Sequence, residues 1–305
     1  MSEPVRAYER LCTSMPTGHV RRNEQLCRHT TYRIGGPAAI FAICESLSDL
    51  THALEILAEE QVAWSVLGKG SNVLAADAGY DGAVLVLGRE FKRHRADGSE
   101  LHSGAGVILA ALVQDAYSRG LEGFEFAVGI PGTVGGALAM NAGSTEDWIG
   151  SLVESVTLYT IGSGLQVLRG PEIPWGYRCS GLSDRGVIVE CTLRLEPGDK
   201  DRIRRAMDQR FAWRKSAQPL GKPNAGSVFV NPPGESAGRL IEAAGMKGYR
   251  VGGAEVSDVH ANFIINAGGA TAADVLKLIS EIRAEVKLQH DIELETEIRV
   301  LGGEG

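Results

Sequence analysis

Residues 129–143, GIPGTVGGALAMNAG, carry almost no side-chain bulk. A core helix of that length would hold more leucine and isoleucine, since burying large apolar side chains is what stabilises it. Glycine here lets the backbone come close to something else: a flat or charged ligand, or a sheet on which a short helix packs. The stretch is expected to be a loop, or a helix with a loop at each end. A second run, Gly68-Lys69-Gly70-Ser71-Asn72, follows the apolar segment Val62–Leu67. A glycine-rich reversal after a strand exposes successive N–H groups, a concavity that suits a pyrophosphate; an ordinary tight turn is its plain alternative. Val73 stands where a third glycine would complete GxGxxG, and GxxxxGK[ST] is absent, so the Rossmann and P-loop spacings are excluded.

Around these runs the pattern is mixed α/β. Ala38–Cys44 and Ala83–Leu87 have the length of strands, and Ser48–Glu60 between them puts Leu50, Ala53, Leu54 and Leu57 on one helical face. This first lobe ends near Gly88. A second lobe is expected from a strand at Glu100–Ser103, a helix at Val107–Ser118 stopped by Gly120, and strands at Val153–Tyr159 and Val187–Leu195. From about Asp199 the style changes, with a helix at Asp201–Lys215 and another at Thr271–Gln289. Thr271 and Asp274 form a capping-box pattern, and Val275, Leu278, Ile279, Ile282 and Val286 make one apolar stripe. Ile292, Leu294, Thr296, Ile298 and Val300 then alternate with Glu293, Glu295, Glu297 and Arg299, an expected amphipathic strand. The expected organisation is a loosely held polar arm at 1–24, a region at 25–200 in two lobes (25–88 and 89–200), and a C-terminal α+β region at 201–305.

Composition narrows the classes. The five cysteines are scattered, odd in number and free of CxxC, which argues against a disulfide framework or a zinc site and suits a reducing cytoplasm. None of the seven histidines forms HxxxH, so no metal is expected. No segment approaches the ~18 apolar residues of a membrane helix, and the charged N-terminus is unlike a signal peptide. The net charge of −7, without a basic tract, speaks against nucleic acid. It also means that anionic ligands have to be held locally, by backbone N–H groups or by residues such as Arg178, Lys222, Arg239 and Lys247.

The two glycine runs together resemble a known family. GKGSN resembles the GxGSN loop of the p-cresol-methylhydroxylase-type FAD-binding fold, and GIPGTVGGALAMNAG resembles its partner motif in the UDP-N-acetylenolpyruvoylglucosamine reductases. Further matches run in the family's order: Thr31–Ala38, Gly176-Tyr177-Arg178, Asn224–Phe229, Ala237–Glu242, Val256–Phe263 and Leu294–Arg299. They span roughly residues 25–302, and the short connection from Ser227 to His260 resembles the family's compact type II form.

The resemblance implies a two-lobed FAD-binding domain followed by a C-terminal α+β substrate-binding domain. It implies reduction of the enolpyruvyl group of UDP-N-acetylglucosamine enolpyruvate to UDP-N-acetylmuramate for peptidoglycan precursor synthesis, with non-covalent FAD and with NADPH as hydride donor. Three positions match the family's catalytic residues. Ser227 would protonate the carbanion-like carbon, Arg178 would stabilise the enolate or carboxylate, and Glu297 would assist its polarisation. Cofactor contacts are expected from Gly68, Lys69, Gly70, Ser71 and Asn72, and from Gly129, Pro131, Gly132, Thr133, Gly135, Gly136, Asn141, Ala142 and Gly143. Tyr177 and Asn231 are expected to contact substrate. A monomer is favoured, the oligomeric state being open. The chain departs from the family's usual pattern at Val230, where lysine is common, at Lys69, and at Ser144–Trp148. Val230 keeps open a flavoenzyme of the same fold with a different substrate; the retained Arg178, Ser227 and Glu297 speak against it and against a paralogue that binds without catalysis.

Overall fold

The computed structural model describes residues 3–16 and 18–303. They divide into two compact units that interleave along the chain. Unit 1 takes Met1–Arg22, Ile40–Gly68 and Gly82–Ala212; unit 2 takes Asn23–Ala39, Lys69–Asp81 and Trp213–Gly305. The contiguous division expected at 24 and 200 is not how contacts cluster, because the two short segments 23–39 and 69–81 group with the C-terminal third of the chain.

Among the described residues, unit 1 carries two larger sheets and a two-stranded pair, Glu196–Pro197 with Leu121–Glu122. Of the two larger sheets, the smaller has strands in the order Val20–Gln25, Pro37–Cys44, Tyr80–Leu87, Trp64–Val66. The larger is antiparallel throughout, in the order Gly164–Arg169, Val153–Thr160, Val187–Arg194, Glu100–Gly104, His94–Asp97. The expected strand at Val187–Leu195 forms over Val187–Arg194, but Val187, Ile188 and Val189 are all buried and a register shift follows Ile188, so the alternation begins only after that bulge.

The polar arm is ordered as a helix and then the strand Val20–Gln25. Helix α1, Glu3–Ser14, buries Ala7 and Leu11 and is followed by buried Met15, a spacing of four that places all three on one face. It packs on α2, Leu47–Glu59, while Arg6 and Arg10 both reach Glu60 at 2.9 Å. Such half-exposed ion pairs contribute little; burial of Leu11 stabilises the contact more, by an amount of order 1.5–3 kcal/mol. Three more helices belong to unit 1: α3, Leu109–Ser118; the short α4, Val134–Ala139; and α5, Lys200–Ala217, which continues across the boundary at residue 212. Of the expected arm, Met1, Ser2 and Thr17 lie outside the described residues, as do Glu304 and Gly305 at the other end. Burial pushes the thiols of Cys44 and Cys191 up to about 12, which leaves them inert.

Unit 2 has its own core, formed by α6, Ala237–Ala243, and α7, Ala272–His290, with a three-stranded antiparallel sheet, Arg250–Val251, Ala254–Val256 and Ile264–Asn266. The capping box at the start of α7 is present as expected, with Thr271 accepting from Asp274 N and the Asp274 carboxylate accepting from Thr271 N. Asp77, from the inserted segment 69–81, adds a second cap: its two carboxylate oxygens accept from Ala272 N at 2.7 Å and Ala273 N at 2.9 Å. That explains why this segment groups with unit 2.

The alternation expected from Ile292 to Val300 becomes regular strand only at Arg299–Leu301. Leu294 and Ile298 are buried, whereas Thr296 and Val300 are exposed. The strand pairs in parallel with Val73–Ala75, Arg299 opposite Val73.

Leu11→Ala should weaken the docking of α1 by about 2–5 kcal/mol, read as faster amide hydrogen exchange across Glu3–Ser14. Unchanged exchange would mean that the arm is held loosely after all.

Candidate active site

The first glycine run is shaped by the protein as much as for a ligand. Gly70 has φ +61, and a Cβ there would lie 2.4 Å from His29 O and 2.7 Å from Thr30 Cα. Its carbonyl accepts from both Thr31 N and Thr31 Oγ1 at 3.1 Å. In a trans peptide the N–H points opposite the carbonyl, so the Ser71 N–H faces away from Thr31. Asn72 is tied to the C-terminal segment: its carbonyl accepts from Arg299 N at 3.0 Å and its Nδ2 donates to Glu297 O at 3.1 Å.

The second run contains α4, packed against the strands Val187–Arg194 and Glu100–Gly104. The donors of its first turn are engaged within the protein. Val134 N donates to Val107 O at 2.9 Å, Gly135 N to Ala105 O at 2.8 Å, and Gly136 N to the capping Thr133 Oγ1 at 3.3 Å. Gly135 and Gly143 are required by close packing, since a Cβ would lie 2.9 Å from Ala105 Cβ and 2.2 Å from Asp147 O respectively. Gly129 and Gly132 have φ of +75 and +136, which glycine adopts without strain. Gly136 differs. It is exposed, and a Cβ would meet only Thr133 Oγ1 at 3.5 Å. Pro131 is exposed, and Ala142 donates its N–H to Ala137 O at 2.8 Å.

Asn141 and Arg178 are joined through a turn of unit 1. The Asn141 side chain, 5% exposed, donates to Gly176 O at 2.9 Å and accepts from Gly150 N at 3.0 Å. Gly176 and Cys179 close the turn by an antiparallel bridge. Arg178, at its tip, has φ +58, a left-handed conformation costing of order 1–2 kcal/mol for a side chain of this kind. Its Nη1 donates to Gly143 O at 2.6 Å and its guanidinium lies 5.1 Å from the centre of the Tyr177 ring. Tyr177, 40% exposed, thus steadies Arg178 by a cation–π contact.

The segments that carry Ser227 and Glu297 are paired in unit 2, with Phe229 opposite Thr296. The segment Gly226–Val230 is hydrogen-bonded along both edges. On one side Glu297 N donates to Val228 O at 2.7 Å and Val230 N donates to Glu295 O at 2.9 Å; on the other Val228 N donates to Asn262 O at 2.8 Å. The Asn262 side chain accepts from Phe229 N at 2.9 Å and donates to Phe229 O at 2.8 Å. Gly226 turns the chain into the segment with φ +77, and Val228 and Phe229 are anchored in the core. Ser227 and Glu297 themselves are half-buried. Asn231 is exposed, and its Oδ1 accepts from Ala237 N at 3.0 Å, next to the Ser236 cap of α6. Two cations considered for anion binding are engaged: Arg239 on Glu235, and Lys247 on Glu242 at 2.8 Å.

In unit 1 one feature fits a flavin: the exposed face over Gly136, where a Cβ would meet only Thr133 Oγ1. A flat ring takes such a face. Sequence reasoning missed Asn262, although the motif containing it was in view. The signal was an amide between apolar Ala261 and Phe263, where a buried side chain has to find partners.

Two family models match. "UDP-N-acetylenolpyruvoylglucosamine reductase, C-terminal domain" matches residues 218–301, and "FAD binding domain" matches residues 38–167. The UDP-N-acetylenolpyruvoylglucosamine reductase of Heliobacterium modesticaldum is 46% identical over 290 residues, covering 94% of this chain and 92% of that protein. The Bacillus subtilis reductase is 40% identical over 289 residues, covering 94% and 95%. The chain belongs to the UDP-N-acetylenolpyruvoylglucosamine reductase family. A crystal structure of this reductase from Thermus caldophilus superposes with a TM-score of 0.82 at 38% identity, covering 93% of this chain and 100% of that one. Phl p 4.0202, a glucose dehydrogenase, shares the fold alone, with a TM-score of 0.50 at 15% identity, covering 64% of this chain and 44% of the other. Within the family, the fold is the p-cresol-methylhydroxylase-type FAD-binding fold followed by the C-terminal domain.

The two glycines should behave oppositely. Gly70→Ala should destabilise the protein with or without flavin, because the clash is with its own backbone. Gly136→Ala should leave the flavin-free protein as stable or up to about 1 kcal/mol more so, yet lower FAD retention, measured by flavin absorbance and thermal melting. Full FAD affinity in Gly136→Ala would show that this face does not take the cofactor.

Proposed function

We propose that the protein reduces UDP-N-acetylglucosamine enolpyruvate to UDP-N-acetylmuramate, using NADPH and non-covalent FAD, in the making of a peptidoglycan precursor. Family membership over nearly the whole chain supports the reaction. The observation that carries the residue assignment is the pairing of the Ser227 and Glu297 segments, with Glu297 N on Val228 O at 2.7 Å. No helix among the described residues is long and apolar enough to cross a membrane, and we assign the reaction to the cytoplasm.

Bound FAD would supply the hydride chemistry, passing reducing equivalents from NADPH to the enolpyruvyl double bond. Negative charge then develops on the carbon that bears the carboxylate and spreads into that carboxylate. Arg178 is assigned to this charge. Its planar, permanently charged fork suits a carboxylate or enolate, and the Tyr177 ring and Gly143 carbonyl hold it in place before substrate arrives. Glu297 is assigned to polarise the same group. Ser227 Oγ is assigned to give its proton to the carbon and to recover one from solvent. A serine hydroxyl is a weak acid, so the role depends on being held close; fixed geometry can supply several kcal/mol toward such a step.

Residues 25–200 are assigned to the flavin and residues 201–305 to the nucleotide-sugar. Lys69–Asn72 are flavin residues that cluster with the C-terminal unit.

The purified protein should be yellow, release FAD on acid denaturation, and oxidise NADPH in proportion to added enolpyruvyl nucleotide. A colourless protein that takes up no FAD contradicts the proposal. Ser227→Ala should leave flavin reduction by NADPH within about twofold but slow flavin oxidation by the nucleotide by roughly 10²–10⁴-fold, with Ser227→Cys partly restoring it. Stopped-flow absorbance separates the two half-reactions. Equal slowing of both would make Ser227 structural.

A further inference from the structure

We infer that Asn262 is a positioning residue for Ser227; the inference rests on the reading of Ser227 as proton donor. Asn262 is 3% exposed, and a polar side chain buried to that degree has to make its hydrogen bonds inside the protein. Its amide presents the same donor–acceptor pair as a peptide group. It uses both on one residue, accepting from Phe229 N at 2.9 Å and donating to Phe229 O at 2.8 Å, while its own carbonyl accepts from Val228 N at 2.8 Å. A side chain here takes the place of a neighbouring strand.

Packing and hydrogen bonding contribute different constraints at this segment. Val228 and Phe229, 0% and 1% exposed, fix where the segment sits in the core. The hydrogen bonds on its edges set the peptide planes, and those planes decide where the Cβ of Ser227 points. Glu295 and Glu297 hold one edge through Val230 N and Val228 O. Asn262 holds the other edge and sets the planes of the peptides on either side of Phe229. Loss of the amide frees the peptide planes beside Phe229 while the apolar anchors stay in place.

Asn262 is itself oriented. Its N–H donates to His260 Nδ1 at 3.2 Å, which requires the proton of neutral His260 to be on Nε2. Burial, helped by nearby Lys247, holds the His260 pKa below the ordinary histidine value, so the ring stays an acceptor at neutral pH. The ring also stacks edge-on with Phe263, centroids 5.1 Å apart.

The test uses the flavin-loaded protein and the variants Asn262→Ala, Asn262→Gln, Ser227→Ala and the double variant Asn262→Ala/Ser227→Ala. In both Asn262 variants, flavin reduction by NADPH should stay within about twofold, and flavin oxidation by the enolpyruvyl nucleotide should slow by about 10²-fold, as a misplacement near 1 Å does. The double variant should be no slower than Ser227→Ala alone, because Asn262 acts through Ser227. Independently of turnover, the Phe229 amide should exchange faster in Asn262→Ala while that of Val256 does not. Should Asn262→Ala fail to fold, Asn262→Gln carries the same expectations. Normal oxidation in the Asn262 variants beside slow oxidation in Ser227→Ala overturns the inference and leaves the Ser227 reading standing. Additive slowing in the double variant overturns it too. Normal oxidation in Ser227→Ala removes the Ser227 reading, and the inference falls with it.

Discussion

The structure of unit 2 depends on a short segment, Gly226–Val230, that is hydrogen-bonded along both edges. One edge carries two backbone hydrogen bonds, and the other carries one together with a side-chain amide. A strand in the middle of a sheet has this property, but here the partners are the loops around Asn262 and Glu297 rather than regular strands. Glu297 in turn accepts Asn72 Nδ2 on its carbonyl. Asn72, Glu297 and Val228 are therefore successive members of one hydrogen-bonded set, and the segment that carries Ser227 belongs to it. Such a set suits a reaction in which a weak acid has to be held in place, because the orientation is fixed when the protein folds and need not be found at each turnover.

A similar device appears in unit 1. Arg178 sits in a left-handed conformation at the tip of a turn, a strained state that persists only when its surroundings over-determine it. The Asn141 amide on Gly176, the Gly143 carbonyl and the Tyr177 ring supply that determination. Asn141, Gly143 and Tyr177 thus have a structural task in holding Arg178, beside any contact they make with flavin or substrate. Side-chain amides in both units substitute for regular backbone partners in irregular loops.

Much of this was legible in the sequence where the cause is local. The Thr271–Asp274 cap and the stripe from Val275 to Val286 are written within a few turns of helix, and α7 follows them closely. The ordered motifs led to the family because each is a contiguous string. What was not legible depends on distant partners. Asp77 caps a helix that begins 195 residues later, and no local pattern announces that the segment 69–81 packs with the C-terminal third. The alternation from Ile292 onward suggested a full strand, but regular pairing begins only at Arg299, after the chain has used Glu295 and Glu297 to hold Val228 and Val230. Helix α1 was missed because its apolar face is only Ala7, Leu11 and Met15 among charged neighbours. Glycine was legible as a class but not position by position: Gly70 and Gly143 answer to the protein's own backbone, whereas Gly136 opens on free space.

The central claim, that the paired segments hold Ser227 as the proton donor, is tested most directly by a crystal structure of the flavin-loaded protein with the enolpyruvyl nucleotide bound. Ser227 Oγ should then lie roughly 3–3.5 Å from the carbon that bears the carboxylate, the separation of a group poised to react, with the hydrogen bonds of Phe229 to Asn262 intact. A complex in which Ser227 Oγ points away from that carbon, with another proton donor in contact with it, would contradict the claim.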